Sequence, residues 1–519
     1  MTSADHPVND SQDKRGDRPG RAVAGNGDPM KDLNASGRDG RGHTVEKIGG
    51  TCMSRSPELV ETLFNGGRPE EEVYNRIFVV SAYSGVTDAL LEHKKSGEPG
   101  VYALYANEGD MAWSEKLDRA RDVMAEAHAG VLAEPGDVKA ADDFLRDRIE
   151  GVRSCLIDLQ RLCGYGHFRL DEHMSVVREL LSGLGEAHSA FATSLLLRRH
   201  GINARPVDLS GWRDETHPSL DQRIAGALED VDVTRELPIV TGYAQCAEGL
   251  MREFDRGYSE VTFARIAALT GAREAVIHKE FHLSSADPKI VGADAVRKLG
   301  RTNYDVADQL SNLGMEAIHP RAAKTLRQAG IPLRVANAFD PGDPGTLIDA
   351  EPAEGPRAEM VTGLPVLAFE VFEQDMVGVK GYDARILEAL TRHKVRIVSK
   401  ASNANSVVHY VDAPLKTVKR AARDLEQAFP SAEVKARKMA LASVIGRDLR
   451  GLGCARRGLE ALEAAGVDVL ALQDNGRAVD VQFLVPSGSL EAAVKALHRE
   501  IVERDDTPVR PAAALTPAV

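Results

Sequence analysis

The stretches HTVEKIGGT (43–51) and RIFVVSAYSGVT (76–87) decide how the first part of the chain folds. Each begins as a short apolar strand and ends in small residues, and a helical pattern, EVTFARIAALTGA (260–272), follows later. Strands that alternate with helices predict an α/β domain around a mainly parallel sheet. Further strands of this kind are predicted at ARPVDL, LPIVTGY and EAVIHKE.

The bulk composition limits the classes of protein to consider. A chain of 519 residues is too long for one hydrophobic core, which predicts two or three domains. The net charge of −13 disfavours a general nucleic-acid surface. No apolar run approaches the ~20 residues of a membrane helix or resembles a secretion signal, so we expect a cytoplasmic protein. Five scattered cysteines without a CxxC pair argue against a disulfide framework or a zinc site.

Changes in composition along the chain predict its domain limits. Residues 1–42 are rich in Gly, Asp and Arg and poor in apolar side chains, which predicts a disordered extension. The α/β pattern covers 43–350 and is interrupted over 95–180 by a helix-rich insertion. Residues 350–362 read as a linker because proline, glycine and charged residues dominate them.

A repeat of pattern follows the linker. Residues 363–436 and 437–508 each follow the order strand, helix, strand, strand, helix, strand. This is the order of the ferredoxin-like fold, which by itself does not specify a function.

Three short motifs carry chemistry. In KIGGT (47–51) the paired glycines let backbone N–H groups approach a phosphate, and Lys47 adds a compact positive charge. In isolation this motif would be a plain glycine turn. It is followed in order by SAYSGVT (81–87) and DRGYSE (255–260), and this order makes a chance match improbable.

Together these segments resemble the motifs KFGGTS, SAMSGVT and GRGGSD of the amino-acid kinase family. The segment ADPK (286–289) resembles the family's ADPR, and the stretch from IHPR to GTLI (318–348) resembles the segment that closes an aspartokinase kinase domain. The C-terminal repeat resembles a tandem of ACT domains. The resemblance spans residues 43 to about 505. It implies an amino-acid kinase fold followed by two ferredoxin-like ACT domains, and an ATP-dependent kinase acting on L-aspartate.

The resemblance also implies roles for individual residues. Lys47 and Glu260 would be catalytic, Arg256 would bind the α-carboxylate of aspartate, and Glu186 would bind its α-ammonium group. The implied substrate-binding set is Thr51, Ser81, Thr87, Glu186, Arg256, Gly257 and Ser259. The implied ATP-binding set is Lys47, Gly49, Gly50, Lys279, Ser284, Asp287, Lys289 and Glu316. Mg²⁺ would arrive with ATP, and no protein ligand for a metal is predicted.

The chemistry of the substrate reduces what the protein must supply. A carboxylate with a pKa near ~3.9 is already ionised at neutral pH and needs no general base. Catalysis should therefore consist of positioning and of charge neutralisation on the phosphoryl group. None of the 15 histidines has to be catalytic, and His319 in IHPR is interpreted as packing.

Several positions depart from the family pattern. Cys52 replaces a serine, Tyr258 a glycine and Glu260 an aspartate. Lys279 stands where the family has an acidic residue and Glu316 where it has a lysine, which suggests an ion pair, or a shared contact to ribose or adenine, rebuilt in reverse order. These departures leave open an alternative, a weak or inactive amino-acid sensor of the same fold. Acetylglutamate or glutamate kinase is a more distant alternative.

Two variant segments narrow the resemblance. FDRGYSE (254–260) and HKEFHLSSADPK (278–289) are similar to the aspartokinases associated with synthesis of the solute ectoine. The resemblance further implies a homodimer or higher oligomer. It also implies a possible amino-acid effector at the ACT domains, with residues 399–405 as the candidate loop.

Overall fold

The computed structural model describes residues 42–66, 68–93, 96–107, 111–254, 257–315, 318–352 and 355–504. The disordered extension predicted for residues 1–42 lies, apart from Gly42, outside the described residues. No helix in these described ranges combines the length and the apolar character needed to cross a bilayer.

The first sheet has eight strands in the order β3-β4-β2-β1-β5-β7-β8-β6. The strands from β3 to β7 in this order are parallel, whereas β8 runs antiparallel to β7. Parallel neighbours bring their carboxyl ends to one edge, where ligand sites of such sheets lie. Their bounds are β1 Thr44–Ile48, β2 Arg76–Val80, β3 Ala204–Val207, β4 Leu237–Thr241, β5 Glu274–Lys279, β6 Arg301–Asn303, β7 Leu333–Asn337 and β8 Thr346–Asp349.

Helices cover this sheet, and the longest occupy the region of the predicted insertion. The helices of eight or more residues are α1 Ala112–Ala129, α2 Pro135–Cys163, α3 Leu170–Arg199, α4 Leu220–Leu228, α5 Tyr258–Thr270, α6 Tyr304–Asn312 and α7 Pro320–Ala329. Shorter helical turns lie at Gly50–Met53, Ser56–Leu59, Val60–Phe64, Glu70–Val73, Val86–Leu90, Val101–Tyr105, Leu250–Glu253 and Pro288–Val291. The middle of α3, residues 181–190, is buried on all sides because it packs against β3, β4 and the other long helices.

A buried ionic triad ties the three central strands together. Arg76 on β2 donates two hydrogen bonds to Glu46 on β1, at 2.7 and 3.0 Å. His278 on β5 contacts the same carboxylate, with Nε2 2.7 Å from Oε2. Burial opposes ionisation, but Arg76 and His278 hold the pKa of Glu46 well below its ordinary value. The triad therefore contains a charged carboxylate inside the sheet.

The second sheet has six antiparallel strands in the order β10-β11-β9-β12-β14-β13. Their bounds are β9 Met360–Phe372, β10 Arg396–Ser402, β11 Ser406–Asp412, β12 Glu433–Ile445, β13 Ala471–Asp474 and β14 Asp480–Pro486. Its helices are α8 Tyr382–Arg392, α9 Leu415–Ala428, α10 Cys454–Ala464 and α11 Leu490–Leu497, with short turns at Gln374–Met376, Ser487–Ser489 and His498–Glu503. The described part of the second repeat contains the predicted order as far as its second helix, but no strand follows that helix up to residue 504.

The two long strands of this sheet are shared between its halves. β9 and β12 pair along 13 residues each, so residues 360–366 lie beside 439–445. Residues 360–366 therefore supply the fourth strand of the second repeat from a position before the first repeat. The interpretation of residues 350–362 as linker is wrong for 360–362, which belong to β9. The limits 363–436 and 437–508 both cut a continuous strand, and as domain limits they stay a prediction.

We call residues 367–438 the first C-terminal unit, and residues 360–366 with 439–504 the second C-terminal unit. Each has its own apolar core between the sheet and its two helices, centred on Phe369 and Phe483 respectively. The first unit also contacts α6. The amide of Asn312 donates to the Val398 carbonyl, and Arg396 donates to the Asn312 carbonyl, both at 2.8 Å. These hydrogen bonds hold the second sheet against the first domain.

We expect the substitution Arg76→Leu to lower the free energy of unfolding by about 3–5 kcal/mol, because it leaves the Glu46 carboxylate buried without its main partner. Urea unfolding followed by circular dichroism would measure this. The control is Arg456→Ala, which removes an exposed ion pair with Glu460 and should cost less than about 1 kcal/mol. Equal, small losses from both substitutions would contradict the structural role of the triad.

Candidate active site

The carboxyl ends of β1 and β2 place two of the sequence motifs side by side. The Gly49–Gly50 turn follows β1, and residues 81–87 follow β2. A Cβ atom on Gly50 would lie 2.7 Å from the Ala82 carbonyl oxygen, so only glycine lets the two loops approach this closely. The predicted phosphate loop and the predicted substrate loop therefore form one surface.

A buried carboxylate collects the positive charges of the site. Glu260, near the start of α5, lies with Oε1 3.4 Å from Lys47 Nζ and 3.9 Å from Lys279 Nζ. Its other oxygen accepts the backbone N–H of His319. Burial would raise the pKa of Glu260, but Lys47, Lys279 and this N–H together lower it. Two ammonium groups thus lie beside one ionised carboxylate at this edge of the first sheet.

Glu186 presents the opposite situation, a buried carboxyl group whose charge is not matched. It lies in α3, is 2% exposed, and its Oε2 accepts no hydrogen bond from the described residues. Burial raises its pKa to about 8, although the charge of Lys47 and the Tyr243 backbone N–H both act to lower it. A buried carboxyl group with a free oxygen is suited to receive a cationic group of a ligand.

The remaining predicted substrate residues surround this carboxyl group or line the loops. A Cβ atom on Gly242 would lie 2.4 Å from Ser259 Cβ and 3.3 Å from Glu186 Oε1, which places Ser259 beside Glu186. Gly257 begins α5 with φ of +87°, a conformation that favours glycine. Ser81 is held by its carbonyl, which accepts the hydroxyl of Ser189 at 2.8 Å. Thr51 is exposed and Thr87 is half-buried on the two loops.

Two predicted site residues cannot be placed in this geometry. Arg256 and Glu316 both lie outside the described residues. The ion pair suggested between Lys279 and Glu316 stays a prediction, and Lys279 lies 3.9 Å from Glu260.

The contacts given below for Ser284, Asp287 and Lys289 are made within their own segment and not with the Lys47 cluster. Ser284 donates to the carbonyl of Ala286, and the Asp287 side chain accepts the backbone N–H of Lys289. Asp287 and Lys289 are exposed. The helical turn Pro288–Val291 packs against α11 of the second C-terminal unit. The structure therefore places these three residues on a segment that joins the first domain to the second unit.

His282, Asp340 and Asp343 form a cluster near the ends of β5 and β7 whose ligand atoms lie within 4.8 Å of one another. The two ring nitrogens of His282 face different carboxylates, Asp340 at 3.1 Å and Asp343 at 3.7 Å. Lys298 also contacts Asp343. The cluster thus combines one imidazole with two carboxylates, and Lys298 lies beside it.

Sequence reasoning missed two backbone donors of the site. The N–H of His319 binds Glu260, and the N–H of Tyr243 binds Glu186. The interpretation of His319 as simple packing is incomplete, because its side chain also caps α7 by accepting the N–H of Arg321. Backbone contacts of this kind leave no residue type as a signal in a sequence.

An open cleft of about 1270 Å³ lies along α6 and α7 and is lined by residues from His319 to Arg396 and Asp412 of the first C-terminal unit. Its basic lining residues are His93, His319, Arg321, Lys324, Arg327 and Arg396. The acidic residues Glu92, Asp308 and Asp412 line the same cleft, so its charge is mixed.

Solved structures of similar shape support the fold. Aspartokinase III of E. coli in complex with aspartate and ADP has a TM-score of 0.65 and 19% identity, covering 88% of this chain and 99% of that chain. The aspartate kinase of Clostridium acetobutylicum has a TM-score of 0.63 and 17% identity, covering 88% of this chain and 100% of that one. At these identities the likeness shows the fold alone, and it confirms the predicted architecture.

The sequence comparisons identify the family. The model of the amino acid kinase family matches residues 43–337. Aspartate kinase Ask_Ect of Stutzerimonas stutzeri (strain A1501) is 50% identical over 467 residues, which cover 89% of this chain and 98% of that protein. Aspartokinase 3, chloroplastic, of Arabidopsis thaliana is 25% identical over 491 residues, which cover 89% of this chain and 82% of that protein. The chain belongs to the amino acid kinase family, and within that family to the aspartokinases.

Proposed function

We propose that this chain transfers the γ-phosphoryl group of ATP to the β-carboxylate of L-aspartate, giving 4-phospho-L-aspartate and ADP. The observation that carries this proposal is that a site for an anion and a site for a cation lie at the same edge of the first sheet. Lys47 and Lys279 offer charge to an anion, and Glu186 offers a buried carboxyl group to a cation. An amino acid and a triphosphate present these two charges. The alternative of an inactive sensor is not favoured, because it gives these buried groups no use.

Lys47 has the role of neutralising charge on the transferring phosphoryl group. Such neutralisation stabilises the transition state more than the ground state, because charge shifts onto the phosphoryl oxygens during transfer. Glu260 positions both Lys47 and Lys279, since its carboxylate is held in turn by the His319 N–H. The N–H groups of the Gly49–Gly50 turn complete the phosphate surface.

Aspartate binding rests on charge and on length. Glu186 receives the α-ammonium group, and Ser81, Thr87, Ser259 and Thr51 supply polar contacts around the substrate. Arg256 receives the α-carboxylate. The resemblance implies this role, and Arg256 itself lies outside the described residues. A charged partner for each of the two charged groups on the α-carbon would orient the β-carboxylate toward ATP.

Mg²⁺ is proposed to come bound to ATP. The described carboxylates of the site are poor ligands for it, since Glu260 is occupied by two lysines and Glu186 is protonated at neutral pH by the rise of its pKa to about 8. When bound, Mg²⁺ would supply charge neutralisation on the phosphates.

The wider context is also proposed. The 50% identity with aspartate kinase Ask_Ect supports a place in ectoine synthesis, and cytoplasmic localisation accords with a metabolic kinase. An amino-acid effector at residues 399–405 and assembly into a homodimer or higher oligomer are proposed by resemblance to tandem ACT domains.

The direct test is a hydroxamate assay. Purified protein with Mg-ATP and L-aspartate should form a product that hydroxylamine traps, with release of ADP. Binding of aspartate without turnover, under varied salt and metal, would instead support an amino-acid sensor.

We expect Lys47→Ala to lower kcat by at least ~10²-fold with a smaller change in KM, because the lost charge matters most in the transition state. Arg256→Ala should mainly raise the KM for aspartate. Steady-state kinetics with both substrates varied would separate these effects. Lys435→Ala, which removes a surface ion pair with Glu433, is the control and should change neither. Mild and equal effects of Lys47→Ala and Arg256→Ala would refute the assigned roles.

Aspartate binding should release a proton. Below its pKa of about 8 the free Glu186 carboxyl is mostly protonated, whereas the bound ammonium group favours the carboxylate. The KM for aspartate should therefore fall as the pH rises toward about 8, by up to about tenfold per pH unit. Calorimetry in buffers of different ionisation enthalpy would count the proton released. In Glu186→Gln the KM should be higher and its dependence on this ionisation lost; an unchanged pH profile would show that Glu186 does not meet the ammonium group.

A further inference from the structure

We propose that His498, in the last turn of the second C-terminal unit, is a positioning residue for the nucleotide segment, which we define as residues 284–289. It acts through Ser285 and does not touch the substrate itself. This inference rests on the proposed function, because it takes the nucleotide segment to contact ATP. It assigns a role to a residue 213 positions away along the chain from the group that it holds.

The contacts of His498 form a directed chain. Nδ1 lies 2.9 Å from a carboxylate oxygen of Glu503, and Nε2 lies 2.8 Å from the hydroxyl oxygen of Ser285. A carboxylate accepts hydrogen bonds, so Nδ1 carries a proton, and in the neutral imidazole Nε2 is then the acceptor. The Ser285 hydroxyl then donates to Nε2, and its oxygen accepts the backbone N–H of Arg297 at 2.9 Å. Each polar group of this chain therefore has one partner of matching type.

These hydrogen bonds are important for stability because they are buried. Ser285 is 1% exposed and His498 is fully buried. A buried hydrogen bond that loses one partner costs more than an exposed one, because water cannot replace it. The order of serine, histidine and carboxylate also occurs in hydrolases, but a nucleophile must be accessible to its substrate. The buried Ser285 hydroxyl excludes that use and leaves a holding role.

Other contacts fix the same segment to the same unit. The Ser285 carbonyl accepts the backbone N–H of Val361 at 2.8 Å. Arg297, which follows the segment, donates to the Glu503 carbonyl at 2.8 Å. Ile290 and Val291 pack on the apolar core of the second unit. These contacts already hold the nucleotide segment against the second C-terminal unit. The His498 side chain orients the segment within that arrangement.

The consequence for catalysis is specific to one substrate. If the hydroxyl of Ser285 is released, residues 284–289 sample more conformations, and ATP binding must restrict them again. The Lys47 cluster and Glu186 are built on other elements and keep their geometry. We therefore expect a change in the KM for ATP, with the KM for aspartate and kcat little affected.

A matched pair of variants tests this. In His498→Gln the side-chain amide reaches the position of Nε2 and can still accept from Ser285, whereas in His498→Asn it reaches only the position of Nδ1. We expect His498→Asn to raise the KM for ATP about 3- to 10-fold, the range of one lost hydrogen bond, and His498→Gln to stay within about twofold of the parent protein. Thermal melting of each variant should be measured beside the kinetics.

Controls separate the possible failures. Ser285→Ala should raise the KM for ATP like His498→Asn, and the double variant should add little further, since both remove the same bond. His409→Asn alters another buried histidine, on β11 of the first C-terminal unit, and should leave the KM for ATP unchanged.

An unchanged KM for ATP in stably folded His498→Asn, or equal rises in His498→Asn and His498→Gln, would overturn the positioning role. If His498→Asn does not fold, Ser285→Ala decides alone, and an unchanged KM for ATP in that variant is equally decisive. A parent protein without aspartate-dependent turnover would instead refute the proposed function. In that case the same variants would be compared for the Kd of ATP, where the same pattern is expected.

Discussion

The candidate active site depends on one buried carboxylate, Glu260, whose negative charge must be balanced by groups in contact with it. Glu260 is 8% exposed, and an unpaired charge in that position would cost several kcal/mol. Its partners come from three separate elements, with Lys47 on β1, Lys279 on β5 and the His319 N–H at the start of α7. Folding these elements together therefore satisfies Glu260 and, by the same contacts, brings two lysines to one place. Two ammonium groups at one place are suited to bind the phosphates of a nucleotide.

The substitution of glutamate for aspartate at position 260 can be understood with the substitution at 279. Glutamate is longer by one methylene group, and its Oε1 lies between the ammonium groups of Lys47 and Lys279. The family has an acidic residue where this chain has Lys279, so the longer carboxylate accompanies an added cation. The two departures from the family pattern become one arrangement when their side chains are seen in contact. A sequence shows each change separately, because positions 260 and 279 lie on different elements.

Local patterns predicted the fold well where each element is specified by its own residues. The strands at Thr44–Ile48 and Arg76–Val80 and the paired glycines at 49 and 50 could be read directly, since apolar strands and close backbone approach need particular residue types. The sharing of β9 and β12 could not be predicted in this way. Residues 360–366 pair with 439–445 across a long separation in sequence, and their pattern alone fits a strand in either repeat.

The same contrast holds for the site. Lys47, Glu186 and Ser259 were predicted from motifs and lie together in the structure, whereas Ser284, Asp287 and Lys289 lie on a segment held by the second C-terminal unit. Motifs preserve residue types that chemistry requires. They do not record which distant surface supports the backbone that carries them. The contact between Ser285 and His498 therefore appears only once the last turn of the chain is placed against the nucleotide segment.

The buried groups also bear on whether the chain catalyses a reaction. Glu186 retains a carboxylate oxygen without a hydrogen-bond partner among the described residues, in a position where burial raises its pKa to about 8. Such a group destabilises the fold compared with a well-packed apolar side chain, and proteins retain such groups mainly where a ligand uses them. A protein that sensed amino acids only through its C-terminal sheet would have no reason to keep this carboxyl beside Lys47. The buried Glu186 carboxyl and the nearby Lys47 ammonium group therefore support a ligand-binding role for this edge of the first sheet.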